Sequence, residues 1–234
     1  MKNEKYPHFP NPKEFLLDLF FPPFCINCKR EGSYLCEDCQ ATLEISEIHQ
    51  RFFSQNLKDL YFPIDYQKSL IKNLIRSFKY EPFIKELAKS LASLIIEHLQ
   101  LIDNKPDFPD FILIPTPLDK KRLKWRGFNQ AEEIAKELSK FLKIPLINDV
   151  LIKIKETQPQ VELSEDERRE NIKGVFSIKN KELIINKKIL LVDDVYTTGS
   201  TMAECARVLK EAGTRKIIGI VIARAQPEED RLNV

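Results

Sequence analysis

Hydrophobic and polar positions along this chain fall into two periods that alternate. Leu70, Ile71, Leu74, Ile75 and Phe78 recur at helical spacing, which predicts an amphipathic helix over Tyr66–Tyr80. Leu87, Leu91, Leu94 and Ile95 predict a second helix over 83–100, and Ala131, Ile134, Ala135, Leu138 and Phe141 a third over Gln130–Leu142 with these five facing inward. Between and after them stand short apolar runs that read as buried strands: Phe111–Ile114, Asp149–Ile154, Val175–Ile178, Ile189–Val192 and Ile217–Ala223. A last helix fits 200–212, closed by Gly213, and further strand material lies near Asp59–Tyr66. Such alternation predicts an α/β domain, a parallel sheet wound with helices. Internal repeats are not evident.

The flanks differ. Residues 1–19 are rich in proline and aromatic residues, with a helical turn or two expected over Glu14–Phe20, and 226–234 is an acidic tail expected to be loose. The organisation expected is therefore a lead-in and cysteine module at 1–45, a linker and helical segment packing on the core at 46–100, the α/β domain at 101–225, and the tail at 226–234. A chain of 234 residues accommodates one such domain and a small appendage, and buries a core without covalent staples. Its 37 basic and 35 acidic residues nearly balance, so the global charge names no partner and any electrostatic signal is local. No apolar run approaches a membrane span, and the first residues lack the apolar core of a secretory signal, which leads to the expectation of a cytoplasmic protein with reduced thiols.

In that setting four of the five cysteines matter. Cys25-x2-Cys28-x7-Cys36-x2-Cys39 places two CxxC knuckles within reach of one tetrahedral ion, with two disulfides as the alternative. Four thiolates leave no open coordination position, so the Zn²⁺ expected here is structural, and its binding is the folding free energy of a segment with little apolar material. Cys205 lies on the apolar face of the last helix beside Val208 and Leu209, a core position.

The richest chemistry lies at Ile189–Thr201. Asp193 and Asp194 end a buried strand, and Thr197, Thr198, Gly199, Ser200 and Thr201 make a turn that opens a helix. Open α/β sheets bind ligands at the carboxyl ends of their strands, and a helix start gathers amides and a positive dipole around an anion. Carboxylates repel a phosphate held so close, unless the ligand also offers hydroxyls for them to accept from. A ribose 5-phosphate offers both. The bland alternative is a strand, turn and helix whose acidic pair only caps the helix.

Two further segments carry charge. In Pro115–Gln130 five cations, Lys120, Lys121, Arg122, Lys124 and Arg126, surround Trp125 in a stretch read as a loop after a core strand. It suits a pyrophosphate, or a nucleic-acid strand stacking on Trp125, or is a solvated loop anchored by its tryptophan. Thr157–Phe176 is a long polar stretch holding Gln160, Arg168, Arg169 and Asn171, either a lid or a surface loop, with Ser164–Glu167 reading as a capping box. Opposite the apolar face of the first helix, Lys68, Lys72, Arg76 and Lys79 form a basic stripe, a nucleic-acid candidate or a solvated face.

The run VDDVYTTGST resembles the phosphoribosyl-pyrophosphate (PRPP) signature of type I phosphoribosyltransferases. That resemblance implies ribose hydroxyls on Asp193 and Asp194, the 5′-phosphate on Thr197–Thr201, Mg²⁺ accompanying PRPP, and pyrophosphate near Arg122, Arg126, Gly127, Asn129 and Gln130, under a lid with Gln160, Arg168 and Asn171. Cys₄ knuckles, LIRSFKY, IPTPLDKKRLKWRGFNQ, TQPQ and the PRPP run, in this order over roughly residues 20–225, resemble the ComF family of competence proteins. The family implies a type I phosphoribosyltransferase fold behind a zinc knuckle or ribbon, and handling of incoming single-stranded DNA with competence proteins such as a DNA-uptake helicase. Lys120, Lys121, Lys124, Trp125 and the stripe are then candidate DNA contacts. Thr197 stands where purine-salvage relatives carry an aspartate near the base, so a hypoxanthine or guanine acceptor is not expected, and no glutaminase nucleophile heads the chain. Lys153 and Lys155 stand where the family often has an arginine, which removes a planar bidentate donor. Three readings stay open: an active transferase, a nucleic-acid-binding accessory protein that keeps the fold, and a protein regulated by a phosphoribosyl ligand.

Overall fold

The computed structural model describes residues 20–49, 56–155 and 171–225. The chain divides into two compact units, 1–43 and 44–234. In the first, a chain reversal brings Phe24 against Glu31 in an antiparallel bridge, and the Cys25 N–H donates to the Arg30 carbonyl at 2.8 Å. A short helix follows, α1 (Glu37–Ala41). Among the described residues of this unit the buried apolar ones are Cys25, Leu35, Cys36, Cys39 and Leu43, three of the five being cysteines. A crosslink among these cysteines would add to the stability of so short a segment.

The second unit is built on parallel strands. In chain order they are β1 (Leu60–Tyr61), β2 (Ile64–Asp65), β3 (Phe111–Pro115), the hairpin pair β4 (Leu151–Lys153) and β5 (Phe176–Ile178), β6 (Lys188–Val192), β7 (Val195–Tyr196), β8 (Lys216–Ile220) and β9 (Ala223–Arg224). The main sheet has the order β1-β8-β6-β3, all parallel. Every residue of β3 is buried, as are all but the first of β6 and of β8. This is the uniform apolar pattern of strands covered on both faces, and each fully buried Leu or Ile contributes about 1.5–3 kcal/mol.

A second parallel ladder, β2-β9-β7, continues three of these strands after a two-residue interruption at 62–63, 193–194 and 221–222. The interruptions share one level of the sheet. Asp193 and Asp194 fill the one between β6 and β7, so the acidic pair sits where the ladder is locally broken, at the carboxyl end of the main sheet. The expected strand Ile217–Ala223 is interrupted here too, at 221–222, level with the interruptions in its two neighbours.

Helices α2 (Ser69–Lys79), α3 (Leu87–Leu101), α4 (Lys120–Arg126), α5 (Gln130–Leu142) and α6 (Ser200–Glu211) complete the unit. The five apolar residues that define α2 are all buried. Helix α3 packs against α2 and α5. Gly219 on β8 lets α6 lie close: a Cβ there would stand 2.6 Å from Met202 Sδ and 2.7 Å from Leu60 Cδ1.

Two expectations fail in this region. Phe141 is 42 % exposed rather than inward, because the buried stripe of α5 ends at Leu138, one turn earlier. The basic stretch after β3 is not all loop. The Asp119 carboxylate caps α4 by accepting from the Arg122 N–H at 2.8 Å, and Gly127 ends it in the left-handed conformation. The expected helical turn over Glu14–Phe20, the capping box at Ser164–Glu167 and the tail 226–234 lie outside the described residues, Phe20 excepted.

Candidate functional site

The acidic pair is held by its own backbone and by two neighbouring elements. The Asp194 N–H donates to Asp193 Oδ1 at 2.9 Å, and the Val195 N–H to Asp194 Oδ1 at 2.7 Å. The Thr116 hydroxyl, just past β3, bonds to Asp193. From the end of α2, Lys79 Nζ lies 2.8 Å from Asp194 Oδ1, an ion pair whose side chains are 25 % and 10 % exposed. Burial, and then the adjoining Asp194 charge, push the Asp193 carboxyl up to about 7 against the pull of Lys79, the Asp194 N–H and Thr116. Burial alone would lower the Lys79 ammonium, but Asp194 outweighs it and the lysine is raised.

Lys79 was expected on the solvent stripe, and this is a correction. It stands four residues after Ile75, on the apolar side of α2, and that spacing was the legible signal. Of the other stripe residues, Lys68 pairs with Glu44, Lys72 Nζ donates to Gln67 at 2.6 Å, and Arg76 is exposed.

After β7 the chain turns through Thr197 and Thr198 to Gly199, whose φ of 75° suits glycine, and α6 begins. Thr198 Oγ1 and Ser200 Oγ are 2.8 Å apart, and Gly199 offers no side-chain cap to the first amides of α6. Thr201 stands in the first turn of α6. A helix start of this kind is a ready anion site. The Tyr196 ring lies against it, so close that a Cβ on Gly199 would stand 2.0 Å from its hydroxyl oxygen.

Facing elements supply donors. Asn129 caps α5, accepting from the Ala131 N–H at 3.2 Å and donating to the Thr116 carbonyl at 2.9 Å, which ties the Gly127–Gln130 turn to the residue that bonds Asp193. Arg126 Nε and Gln130 Nε2 are buried with no hydrogen-bond partner among the described residues. Burial lowers the Arg126 guanidinium, with Asp194 as the largest opposing charge. Arg122 lies 3.4 Å from the Asp119 carboxylate, and the buried Lys153 Nζ 3.5 Å from it, so a second ion cluster anchors α4. Burial opposes ionisation of Asp119, but the Arg122 N–H and the Lys153 and Arg122 charges hold its carboxyl below the usual range.

Lys120, Lys121 and Lys124 are exposed on α4, and Trp125 is 55 % exposed. Asn171 lies in a helical turn ahead of β5, while Gln160 and Arg168 lie outside the described residues. A cavity of about 660 Å³ lies elsewhere, at the amino ends of β3 and β6, the end opposite to that which binds ligands in such sheets.

In the first unit the Sγ atoms of Cys25, Cys28, Cys36 and Cys39 all lie within 4.8 Å of one another. Zn–S bonds of about 2.3 Å in a tetrahedron require sulfurs about 3.8 Å apart, and the cluster fits that ion. Burial opposes ionisation of Cys25, yet amides of Cys36, Cys28 and Asn27 aimed at its sulfur bring the thiol down to about 6, which favours the thiolate that a metal ligand must be. Cys205 is buried in the core of the other unit.

These features have counterparts. The family described as phosphoribosyl transferase domain matches residues 123–233. Competence protein F of Haemophilus influenzae is 32 % identical over 208 residues, 87 % of this chain and 85 % of that one. DNA utilization protein YhgH of Escherichia coli O157:H7 is 32 % identical over 136 residues, 56 % of this chain and 58 % of that protein. Among solved structures, purine phosphoribosyltransferase from Pyrococcus horikoshii Ot3 has 22 % identity and a TM-score of 0.31, covering 59 % of this chain and 71 % of that one. With its parallel sheet flanked by helices, its acidic pair and its close set of four cysteines, the chain has the type I phosphoribosyltransferase fold preceded by a zinc-knuckle module, and it belongs to the ComF family of competence proteins.

Proposed function

We propose that the carboxyl end of the sheet binds PRPP with Mg²⁺, and that the protein acts in natural competence and DNA uptake, handling incoming single-stranded DNA. The observation that carries the ligand reading is the pair of orphaned buried donors, Arg126 Nε and Gln130 Nε2, in the same neighbourhood as an acidic pair and a helix start whose N-cap, Gly199, has no side chain. Buried donors without partners are costly, about 1–3 kcal/mol each, and an anionic ligand removes that cost. Asp193 and Asp194 accept from the ribose 2′- and 3′-hydroxyls. The amides and hydroxyls of Thr197–Thr201 hold the 5′-phosphate. Arg126, Gln130 and the Gly127–Asn129 turn face the pyrophosphate, and Arg122 adds charge from α4. Mg²⁺, arriving with the pyrophosphate, would supply charge neutralisation for the leaving group.

Departure of pyrophosphate leaves positive charge on the ribose ring, and the acidic pair lies where it would stabilise that charge. The pair must be ionised to accept hydroxyls, so the raised Asp193 makes affinity climb as pH rises through about 7. Thr197 cannot serve as a general base at neutral pH, so this site activates the donor and leaves activation of an acceptor to another group.

The DNA part of the reading rests on relatives named competence protein F and DNA utilization protein, and on the exposed cations of α4. A DNA-uptake helicase is the partner class the family implies. Titration calorimetry with PRPP and Mg²⁺ tests the ligand: one site per chain is expected, lost in Asp194→Asn. Pyrophosphate release above blank with candidate acceptors would make the protein an active transferase, and release at blank level with intact binding would make PRPP a regulatory ligand.

A further inference from the structure

Three aromatic rings meet where α2 and α4 end. Trp125 packs edge-on against Phe83, with centroids 4.8 Å apart at 86°, and against Tyr80 at 6.5 Å and 64°. Trp125 and Tyr80 are 55 % and 45 % exposed. Aromatic surface of this extent is normally covered in a soluble domain, and the core cluster around β6 and α6 does not include these rings. Phe83 is held there in the left-handed conformation, at φ 54°, which is costly for a bulky residue. Its N–H donates to the Tyr80 carbonyl at 2.7 Å, and the Ile84 N–H donates to the Ser77 carbonyl at 2.9 Å, so the turn is fixed by its backbone.

Cations frame the rings. The Arg126 guanidinium lies 6.0 Å from the Tyr80 centroid. Lys120, Lys121 and Lys124 are exposed on α4, whose sequence contains no acid. The same seam reaches the acidic pair, because Lys79, which bonds Asp194, directly precedes Tyr80.

Each edge-to-face contact covers only one face of one ring, so other ring faces stay available, and rigid rings among cations match one chemistry: a planar base on a phosphodiester chain. An apolar peptide has no use for the cations, and a polyanion without bases has no use for the rings. We infer that Tyr80, Phe83 and Trp125 form a stacking subsite for an unpaired base of single-stranded DNA, with α4 holding the flanking phosphates, beside the ribose-phosphate site. This deepens the DNA-handling reading and rests on it.

Trp125 is the only tryptophan of the chain, so its fluorescence reports this subsite alone. The zinc-loaded full chain is titrated with an end-labelled oligodeoxythymidylate and with an abasic phosphodiester of the same length and charge, following label anisotropy and tryptophan emission together. The subsite predicts quenching by the base-bearing strand and none by the abasic one. It also predicts that Trp125→Ala and Phe83→Ala weaken the thymidylate about 5–100-fold while changing the abasic strand less than twofold. Wild-type circular dichroism and unfolding midpoint in both variants confirm that they are folded. Both strands binding with equal affinity and no base-dependent quenching would overturn the subsite and leave DNA binding in place. Neither strand changing anisotropy would overturn the DNA reading with it. Wild-type emission inaccessible to acrylamide would place the rings under other parts of the chain and overturn the subsite as well.

Discussion

Lys79→Met removes the cation that faces the acidic pair while keeping a side chain of similar length on α2. Lys79 Nζ and Asp194 Oδ1 are 2.8 Å apart, and the gross attraction at that distance is about 4–6 kcal/mol for an effective dielectric constant near 20. Breaking a buried pair by deleting one partner costs about 3–5 kcal/mol. The lysine retains some contact with solvent, so the expected loss is about 2–3 kcal/mol at pH 8.

The pH dependence follows from the acids. The folded-state Lys79 is raised, so its charge is constant across neutral pH and its contribution would fade only in strongly alkaline solution. Asp193 is raised to about 7, so the native state holds its proton more tightly than the unfolded chain does, and stability falls as pH climbs from about 4 to 7. Lys79 limits that fall. Without it the fall steepens, and the cost of Lys79→Met at pH 5.5, where Asp193 carries its proton, shrinks to about 1 kcal/mol. Urea unfolding of zinc-loaded protein at both pH values, read by helical circular dichroism, measures this, provided that the denaturant slope is unchanged. The double variant with Asp194→Asn should recover at least half of the loss at pH 8. A loss below 0.5 kcal/mol at pH 8 (about the scale of an exposed pair), or an equal loss at both pH values, would refute the buried-pair argument.

Two further outcomes are expected. Gly199→Ala forces a residue with a Cβ to φ 75° and displaces Tyr196, costing about 2–3 kcal/mol and at least tenfold in phosphate-ligand affinity, measured by unfolding and calorimetry. The purified chain should carry one zinc by elemental analysis, lost in Cys39→Ser and kept in Cys205→Ser; chelation should make residues 20–45 protease-sensitive while the second unit keeps its unfolding midpoint.

Elements defined by local periodicity were legible, and those set by distant partners were not. Helix α5 was expected at Gln130–Leu142 and lies there, because its apolar stripe and its Asn129 cap are both local. Helix α4 was read as loop, since five cations in seven residues resemble a solvated segment. What holds it is Asp119, tied to Lys153 from a strand 34 residues away. The acidic pair and the turn after it could be named from the motif, but not the break in the sheet that seats them, because that break involves three strands. Lys79 was misplaced because its charge was weighed above its spacing from Ile75. Thr116 gave no signal at all, since a lone threonine between two prolines looks like an ordinary turn.

The central claim is that the carboxyl end of this sheet holds PRPP. It is tested most directly by the thermal unfolding midpoint with and without PRPP and Mg²⁺, in the native chain and in Asp194→Asn. A ligand at about 100 times its dissociation constant stabilises by about 2.7 kcal/mol, which in a domain of this size is a rise of roughly 5–10 °C. The account predicts that rise in the native chain and its loss in Asp194→Asn. An unchanged midpoint at millimolar PRPP, or the same rise in both proteins, would contradict it.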